Sequence, residues 1–506
     1  MTAAVIASSS QLAADAGAQV ARAGGNAVDA AVAACLVSMS TEPGVCSLGA
    51  SGFVTLWAQD GRPITIDGYS EMPGCGLPAE RMGQGAWEVE LGYGGGMRTI
   101  VGPGSVAVPG GIAAMGHACE RYGQLPWRDV VEPARVIAER GFPMPSNCRF
   151  YLDFCAEPIY GWDPHSASAL QGPDGQIPAA GDTTRIPGLG DSLERIGRLG
   201  AQEFYTGELG QQLADHVSNA GGMLTRADMA AYRALERASL MVDLDDWEIA
   251  TTPPPAVGGA ALVAMMMLTR DVGVDGWNAD AVARMVEAQR RVIEYRRDVL
   301  AASRDVDRDV MKLLESIRDG KPPGTSSETV HTSAVDSHGM GCAVTMSAGY
   351  GSGVLPGDTG IWLNNALGEV ELGTGGLLVE APGTRLSSNM APTVARRSDG
   401  TVLAVGSPGA DRITSAILQT LINYMHFGMS LEQAVAHPRA HVELTPEGYR
   451  VAHEPGLPMD ACTLAQRPFD HVSMFFGGAA AAEWTPGTGF TVAGDPRRHG
   501  GTAIAG

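Results

Sequence analysis

The stretch Glu328-Thr329-Val330-His331-Thr332-Ser333-Ala334-Val335-Asp336 concentrates side chains able to do chemistry. Before it runs Lys321-Pro322-Pro323-Gly324-Thr325-Ser326-Ser327, too rich in breakers to be helix or to pair in a sheet. After it, Asp336-Ser337-His338-Gly339 is a turn signal between Val330–Val335 and Met340–Ser347, and the two runs read as a β-hairpin. A threonine therefore stands where a linker meets the first strand of a hairpin. If the chain is cut between Glu328 and Thr329, Thr329 gains an α-amine that titrates near pH 8 and can take the proton of its own hydroxyl. Without the cut, Thr329 only opens a strand. The local pattern leaves both readings open.

The elements that would hold this stretch are helices and short strands. Ser10–Met39 reads as two helical segments broken at Arg22–Asn26 and ended by Glu42-Pro43. Val54–Trp57 and Ile64–Asp67 read as strands, Gly83–Gly104 as a glycine-rich loop, and Gly111–Tyr122 and Trp127–Arg140 as helices. Cys148–Leu199 is weakly patterned, and loops around short helices are expected there. Leu209–Ala220, Ala260–Leu268 and Ala279–Leu300 read as helices, the last with a charged face expected to meet solvent. Trp247–Thr251 and Thr401–Val405 read as strands. Gly406–Arg412 is a turn opening the helix Ile413–Met425, whose N-terminus suits developing negative charge.

Composition excludes several functions. The 506 residues provide ample core, and the 67 glycines are dispersed among apolar runs without a collagen-like period. A formal net charge of −21 argues against a nucleic-acid surface. The eight cysteines show no metal-binding spacing, and His331 and His338 have no accompanying ligand cluster, so no metal and no cofactor are expected. No run has the length of a membrane span, and the first residues lack a basic and apolar export signal, which favours the cytoplasm.

His331-x-Ser333-x-Val335-Asp336 with Gly339, Tyr350-Gly351-Ser352-Gly353, Thr359–Asn365, Met390-Ala391-Pro392-Thr393 and Gly406-Ser407-Pro408-Gly409 resemble the γ-glutamyltranspeptidase family. So do Gly24–Ala31, Val108-Pro109-Gly110, Pro133-Ala134 and Gly141-Phe142, in the family's order over nearly the whole chain. The resemblance implies a four-layer αββα fold of the N-terminal-nucleophile (Ntn) hydrolase type. It also implies a precursor that cuts itself into segments 1–328 and 329–506, intertwined in one globule. Thr329 would be the nucleophile, Ser347 a supporting hydroxyl, and Gly409 and Ala410 the backbone donors of an oxyanion hole that is glycine-glycine in the family.

The implied substrate pocket departs from the family. Ser70 replaces the arginine before Glu71, Ser388 and Asn389 replace paired serines, and Glu369 replaces the aspartate that binds the donor's ammonium. Asn365 precedes Ala366, which stands for a glutamine. The segment between Glu369 and Ser388 is shorter than the lid-bearing one of typical bacterial members. These changes imply a more open pocket with γ-glutamyl recognition partly lost. The expected partners are a small acyl donor and a water or amine acceptor, with a homo-oligomer left open. Relatives that cleave glutaryl-cephalosporins, oxamate, or a C–C bond beside an oxalyl group in lincosamide or pyrrolobenzodiazepine antibiotic pathways supply the alternatives. An unprocessed, non-catalytic homologue is the remaining one.

Overall fold

The computed structural model describes residues 2–506 apart from 93–95, 274–275, 301–302, 304, 320–328, 370–375 and 446. Two antiparallel sheets form its centre. Among the described residues the first has seven strands, in the spatial order Gly501–Ala505, Ala4–Ser8, Val330–Asp336, Gly341–Ser347, Ser51–Trp57, Ile64–Gly68, Leu235–Ala238. The second has six: Gly489–Gly494, Ala480–Thr485, Val402–Gly406, Thr393–Arg397, Trp247–Thr251, Leu240–Leu244.

The hairpin read from the sequence lies at the middle of the first sheet, in the register Val330↔Met346 to Val335↔Gly341. Alternation along a strand sends successive side chains to opposite faces. Val335 packs with Val394, Val402, Ala404 and Ala482 of the second sheet. Ser333 donates its hydroxyl to the Ala480 carbonyl of that sheet at 3.0 Å. Val330 and Ala334 turn the other way, into the core shared with the helices Gln11–Arg22 and Ala27–Thr41. The outer face of the second sheet carries Ile249, Ala395, Leu403 and Ala481 against the helices Gly258–Leu268, Ala279–Asp298 and Arg412–Leu421. Helix, sheet, sheet and helix thus stack in four layers, the αββα sandwich of the Ntn-hydrolase type.

Small side chains make this stacking close. Every residue of Ala27–Thr41 is buried, and an added Cβ at Gly17 would lie 2.7 Å from the Ala30 carbonyl oxygen. A capping box between Asn26 and Asp29 starts that helix. The Asp336 carboxylate, at the far end of the nucleophile strand, accepts the Ala27 N–H at 3.0 Å and the His338 N–H at 2.9 Å. One side chain therefore closes the hairpin turn and ties it to the helix beneath. At the other end of the helix the buried Glu42 accepts the Ser9 hydroxyl. Burial pushes its carboxyl up to about 7, against the pull of Ser9 and the Arg498 charge.

Three sequence expectations need correction. Residues 83–104 are not all loop, because Trp87–Leu91 and Met97–Val101 pair as an antiparallel hairpin. The alternation in Trp87-Glu88-Val89-Glu90-Leu91 is a strand pattern that the surrounding glycines mask. Leu189–Leu199, within the weakly patterned region, is a full helix. The charged face of Ala279–Asp298 is not wholly solvated: Arg296 is 6 % exposed and Gln289 is fully buried. The strand Gly501–Ala505 completes the first sheet beside Ala4–Ser8. Among the described residues no helix is long and apolar enough to cross a membrane.

Candidate active site

Thr329 stands immediately before the 330–336 strand and is fully buried. The alternation that turns His331 and Ser333 toward the second sheet assigns Thr329 the same face. His331 lies flat against Gly406, where an added Cβ would meet its ring Cε1 at 2.3 Å. Its Nδ1 and Nε2 bond the Thr345 and Ser333 hydroxyls, each at 2.8 Å. Burial holds the imidazole down to about 3, with the Val344 backbone pulling weakly the other way. His331 is therefore a neutral spacer between the sheets. The Thr329 Oγ1, by contrast, is buried without a hydrogen-bond partner among the described residues. Buried hydroxyls are ordinarily bonded, so an orphan at this position calls for a partner outside the described residues. Glu328, the other side of the expected cut, lies outside the described residues.

The register assigns the neighbours of Thr329. Extending Val330↔Met346 by one residue sets Thr329 opposite Ser347, and Ser347 pairs with Ser51. Extending Gly52↔Gly68 by one sets Ser51 opposite Tyr69. Side chains directly opposite share a face, so Thr329, Ser347, Ser51 and Tyr69 form a row across the end of the first sheet, about 4.8 Å apart from strand to strand. The Ser347 hydroxyl accepts the Gly349 N–H at 3.0 Å, shaping the turn that follows it. The Ser51 hydroxyl accepts from the Gly110 N–H at 2.9 Å and from Ser70 at 2.8 Å, leaving its own proton to donate.

Beyond the row lie the residues expected at the substrate. Segment 384–386 runs antiparallel beside 70–72, through Leu386 N–H to the Ser70 carbonyl and Met72 N–H to the Thr384 carbonyl, each at 2.9 Å. This brings Ser388 to Tyr69. Burial and the Glu369 carboxylate raise the Tyr69 phenol well above its usual range, against a hydrogen bond from Ser388 and the charge of Arg296. The Glu369 carboxylate sits against the turn after Ser347, 2.9 Å from where a Cβ of Gly349 would be. Gly349, at φ 63°, is free of a side chain where that carboxylate needs room. The Ser388 carbonyl is held by the Val257 and Gly258 N–H groups at 2.8 and 3.0 Å. Asn389 is 2 % exposed, and both its amide atoms lack partners among the described residues.

Three expected binding residues are committed elsewhere. Ser70 is fully buried and gives its proton to Ser51. Glu71 is held by Arg385 at 2.8 Å, and burial raises its carboxyl while Arg385 opposes the rise. The same guanidinium bonds Asp67, the Tyr69 carbonyl and the Tyr232 hydroxyl. Asn365 accepts from the Tyr350 and Gly351 N–H groups and donates to Thr99 and the Ile100 carbonyl, so it builds the 348–351 turn with every polar atom in use. Ser51, Tyr69, Arg296 and Arg385 were not singled out from the sequence. Strand register would have found the first two, whereas the arginines carry no local signal.

The turn after the 402–406 strand carries the expected oxyanion donors. Gly409 has φ 127° and its Cβ position would lie 2.7 Å from the Gly477 Cα, so only glycine fits. Ala410 has φ 60°, left-handed backbone that costs a residue with a Cβ about 1 kcal/mol or more. The Gly409 and Ala410 carbonyls cap Arg412 and Ile413. Their N–H groups meet no acceptor among the described residues and head a helix, an arrangement suited to a developing oxyanion. Asp411 then pairs with Arg412, and with His441 Nε2 at 3.3 Å. His441 Nδ1 meets the Ser415 hydroxyl at 3.0 Å. No group of metal-ligating side chains occurs among the described residues.

An αββα sandwich with a hydroxyl at the head of a central strand that meets no partner among the described residues has the architecture of the Ntn hydrolases. Comparison with known proteins narrows this: the gamma-glutamyltranspeptidase family model matches residues 13–505, and the chain belongs to that family. It is 28 % identical to the glutathione hydrolase proenzyme of Escherichia coli K12, covering 93 % of this chain and 86 % of that one. It is 31 % identical to the acylase ACY 1 proenzyme of Pseudomonas sp. V22, over 85 % and 81 % of the two. The solved cephalosporin acylase of Bacillus halodurans shares the fold, with a TM-score of 0.81 at 24 % identity over 99 % and 96 % of the chains.

Proposed function

We propose that the chain is a precursor that cuts itself between Glu328 and Thr329 and then hydrolyses or transfers an acyl group through an ester on Thr329. The observation that carries this reading is the buried Thr329 hydroxyl at the head of the central strand, without a partner among the described residues. Once freed, the α-amine of Thr329 takes the hydroxyl proton and Oγ1 attacks the acyl carbonyl carbon. The tetrahedral oxyanion is received by the Gly409 and Ala410 N–H groups. The ammonium returns the proton to the leaving group, which departs as the ester forms. Water, or an amine acceptor, then attacks the ester through the same amine and releases the acyl group. Ser347, next in the row, orients the nucleophile.

The donor is not a good match to a γ-glutamyl group. Recognition of an α-carboxylate needs a cation at position 70, and Ser70 is a buried neutral donor turned to Ser51. The donor's far end falls to Glu369, Ser388 and Asn389, backed by Tyr69. The 31 % identical relative is named an acylase, which supports an amide as the scissile bond over the carbon–carbon alternative. The names of both sequence relatives also describe proenzymes, in keeping with segments 1–328 and 329–506 as the mature subunits.

The test is the intact mass of the purified protein under denaturing conditions. Wild type is expected as two species that sum to the full chain plus water, with Thr329 as the new N-terminus. Thr329→Ala is expected as one full-length species without acyl hydrolysis. A Thr329→Ala protein that is cut or active overturns the mechanism.

A further inference from the structure

Ala410 occupies left-handed backbone where a glycine would carry no penalty, and a cluster of side chains grips the turn on which it sits. The grip has two sides. On one, Gly409 presses on Gly477, the Gly478 N–H bonds the Ser407 hydroxyl at 3.0 Å, and Arg412 Nε bonds the Phe475 carbonyl at 2.9 Å with its guanidinium over the Phe475 ring. On the other, Asp411, the residue after Ala410, is bracketed by Arg412 and by His441, which projects from the strand Ala440–Thr445. His441 is 2 % exposed and Ser415 is equally buried. The Ser415 hydroxyl donates to the Arg412 carbonyl at 3.1 Å, so it accepts from His441 Nδ1–H at 3.0 Å. That bond fixes the ring and leaves Nε2 3.3 Å from the Asp411 carboxylate, an electrostatic contact without hydrogen-bond geometry.

We propose that the Ser415–His441–Asp411 chain holds Ala410 in its left-handed conformation, and so holds the two N–H groups of the turn in place, making His441 a positioning residue for acyl transfer. This rests on the acyl-Thr329 reading for its catalytic consequence, but not for its structural one. Burial favours the neutral form of Asp411, yet the Arg412 and His441 charges hold its carboxyl well below the ordinary range, so the group at the end of the chain stays an anion. A glycine pair would need no such device. Here the backbone preference of alanine is set against a carboxylate–imidazole contact anchored to a separate strand. His441 touches neither Thr329 nor the turn's N–H groups in any contact the structure records.

The test is a double-mutant comparison. His441→Ala and the isosteric, partly exposed Asp411→Asn are each made in the wild-type background, which keeps Ala410, and in an A410G background. Thr329-dependent release of p-nitrophenol from p-nitrophenyl acetate is normalised to the cleaved fraction. With Ala410 each substitution is expected to lower kcat about tenfold with KM within about twofold; in the A410G background each loss shrinks to under about twofold. In parallel, hydrogen exchange of the peptide spanning 404–415 is expected to quicken in both variants with Ala410 and much less so with A410G. Equal losses in the two backgrounds, or unchanged exchange in the variants, overturn the clamp. Ester release that persists in Thr329→Ala refutes the nucleophile instead, and the exchange comparison still decides the clamp.

Discussion

Replacing Glu42 by Gln is expected to make the protein more stable at pH 8 and more sensitive to acid. Glu42 is raised from 4.5 to about 7 by burial. Its protonated form is the one the fold prefers, so its stabilising contribution is full below pH 4.5 and gone above pH 7. A shift of this size corresponds to about 3 kcal/mol. His331 works in the opposite sense, since burial lowers it from 6.5 to about 3. Its contribution is full above pH 6.5 and is lost as the pH falls toward 3, about 2 kcal/mol of it by pH 5. Between pH 8 and pH 5 the two nearly cancel, leaving a net change below about 1 kcal/mol from this pair. Glu42→Gln removes one arm. Stability at pH 8 should rise by up to about 3 kcal/mol, and the fall from pH 8 to pH 5 should steepen by about 2.5 kcal/mol relative to wild type. Urea unfolding followed by tryptophan fluorescence at both pH values measures each difference. A variant no more stable than wild type at pH 8, or one with a flatter pH dependence, refutes the assignment of a raised, buried Glu42.

Two further outcomes follow from the site. Asn365→Ala strips partners from the Tyr350 and Gly351 N–H groups and the Ile100 carbonyl, so it should destabilise by about 2–4 kcal/mol, seen as a lower urea midpoint, and lower activity through the displaced turn after Ser347. Ser70→Arg restores a cation at a fully buried position already packed against Ser51. It should destabilise by about 1–3 kcal/mol and fail to raise turnover of a γ-glutamyl anilide; a gain in that assay would mean the clamp alone was missing.

How much of this was legible varies by interaction range. The hairpin around Asp336–Gly339 announces itself through turn chemistry and strand composition, both local. The turn at Gly409-Ala410 was visible as a glycine-bounded helix start, but the left-handed state of Ala410 was not, because alanine gives no local sign of it. The row from Thr329 to Tyr69 depends on register among four strands that lie far apart in sequence. Arg385 illustrates the remainder: a loop arginine satisfies Asp67 and Glu71 across more than three hundred residues, and no spacing encodes that. Asn365 was expected at the substrate, but its polar atoms build the 348–351 turn, since residue type alone cannot tell an amide that meets substrate from one that builds a turn.

The edge of the first sheet has a consequence for how the molecule can be rewired. Ala4 and Ala505 are cross-strand partners, so residues 4 and 505 lie side by side at the sheet edge. The strand that begins at Val330 is the next neighbour of Ala4–Ser8. A short loop joining residue 506 to residue 2 would therefore let the gene be opened at codon 329 without disturbing either sheet. Such a circular permutant would be translated as Met-Thr329 onward, and removal of the initiator methionine would expose the threonine amine directly. On the proposed mechanism, maturation by peptide-bond cleavage and catalysis by the same residue, coupled in the natural order, would become independent events in a single uncut polypeptide.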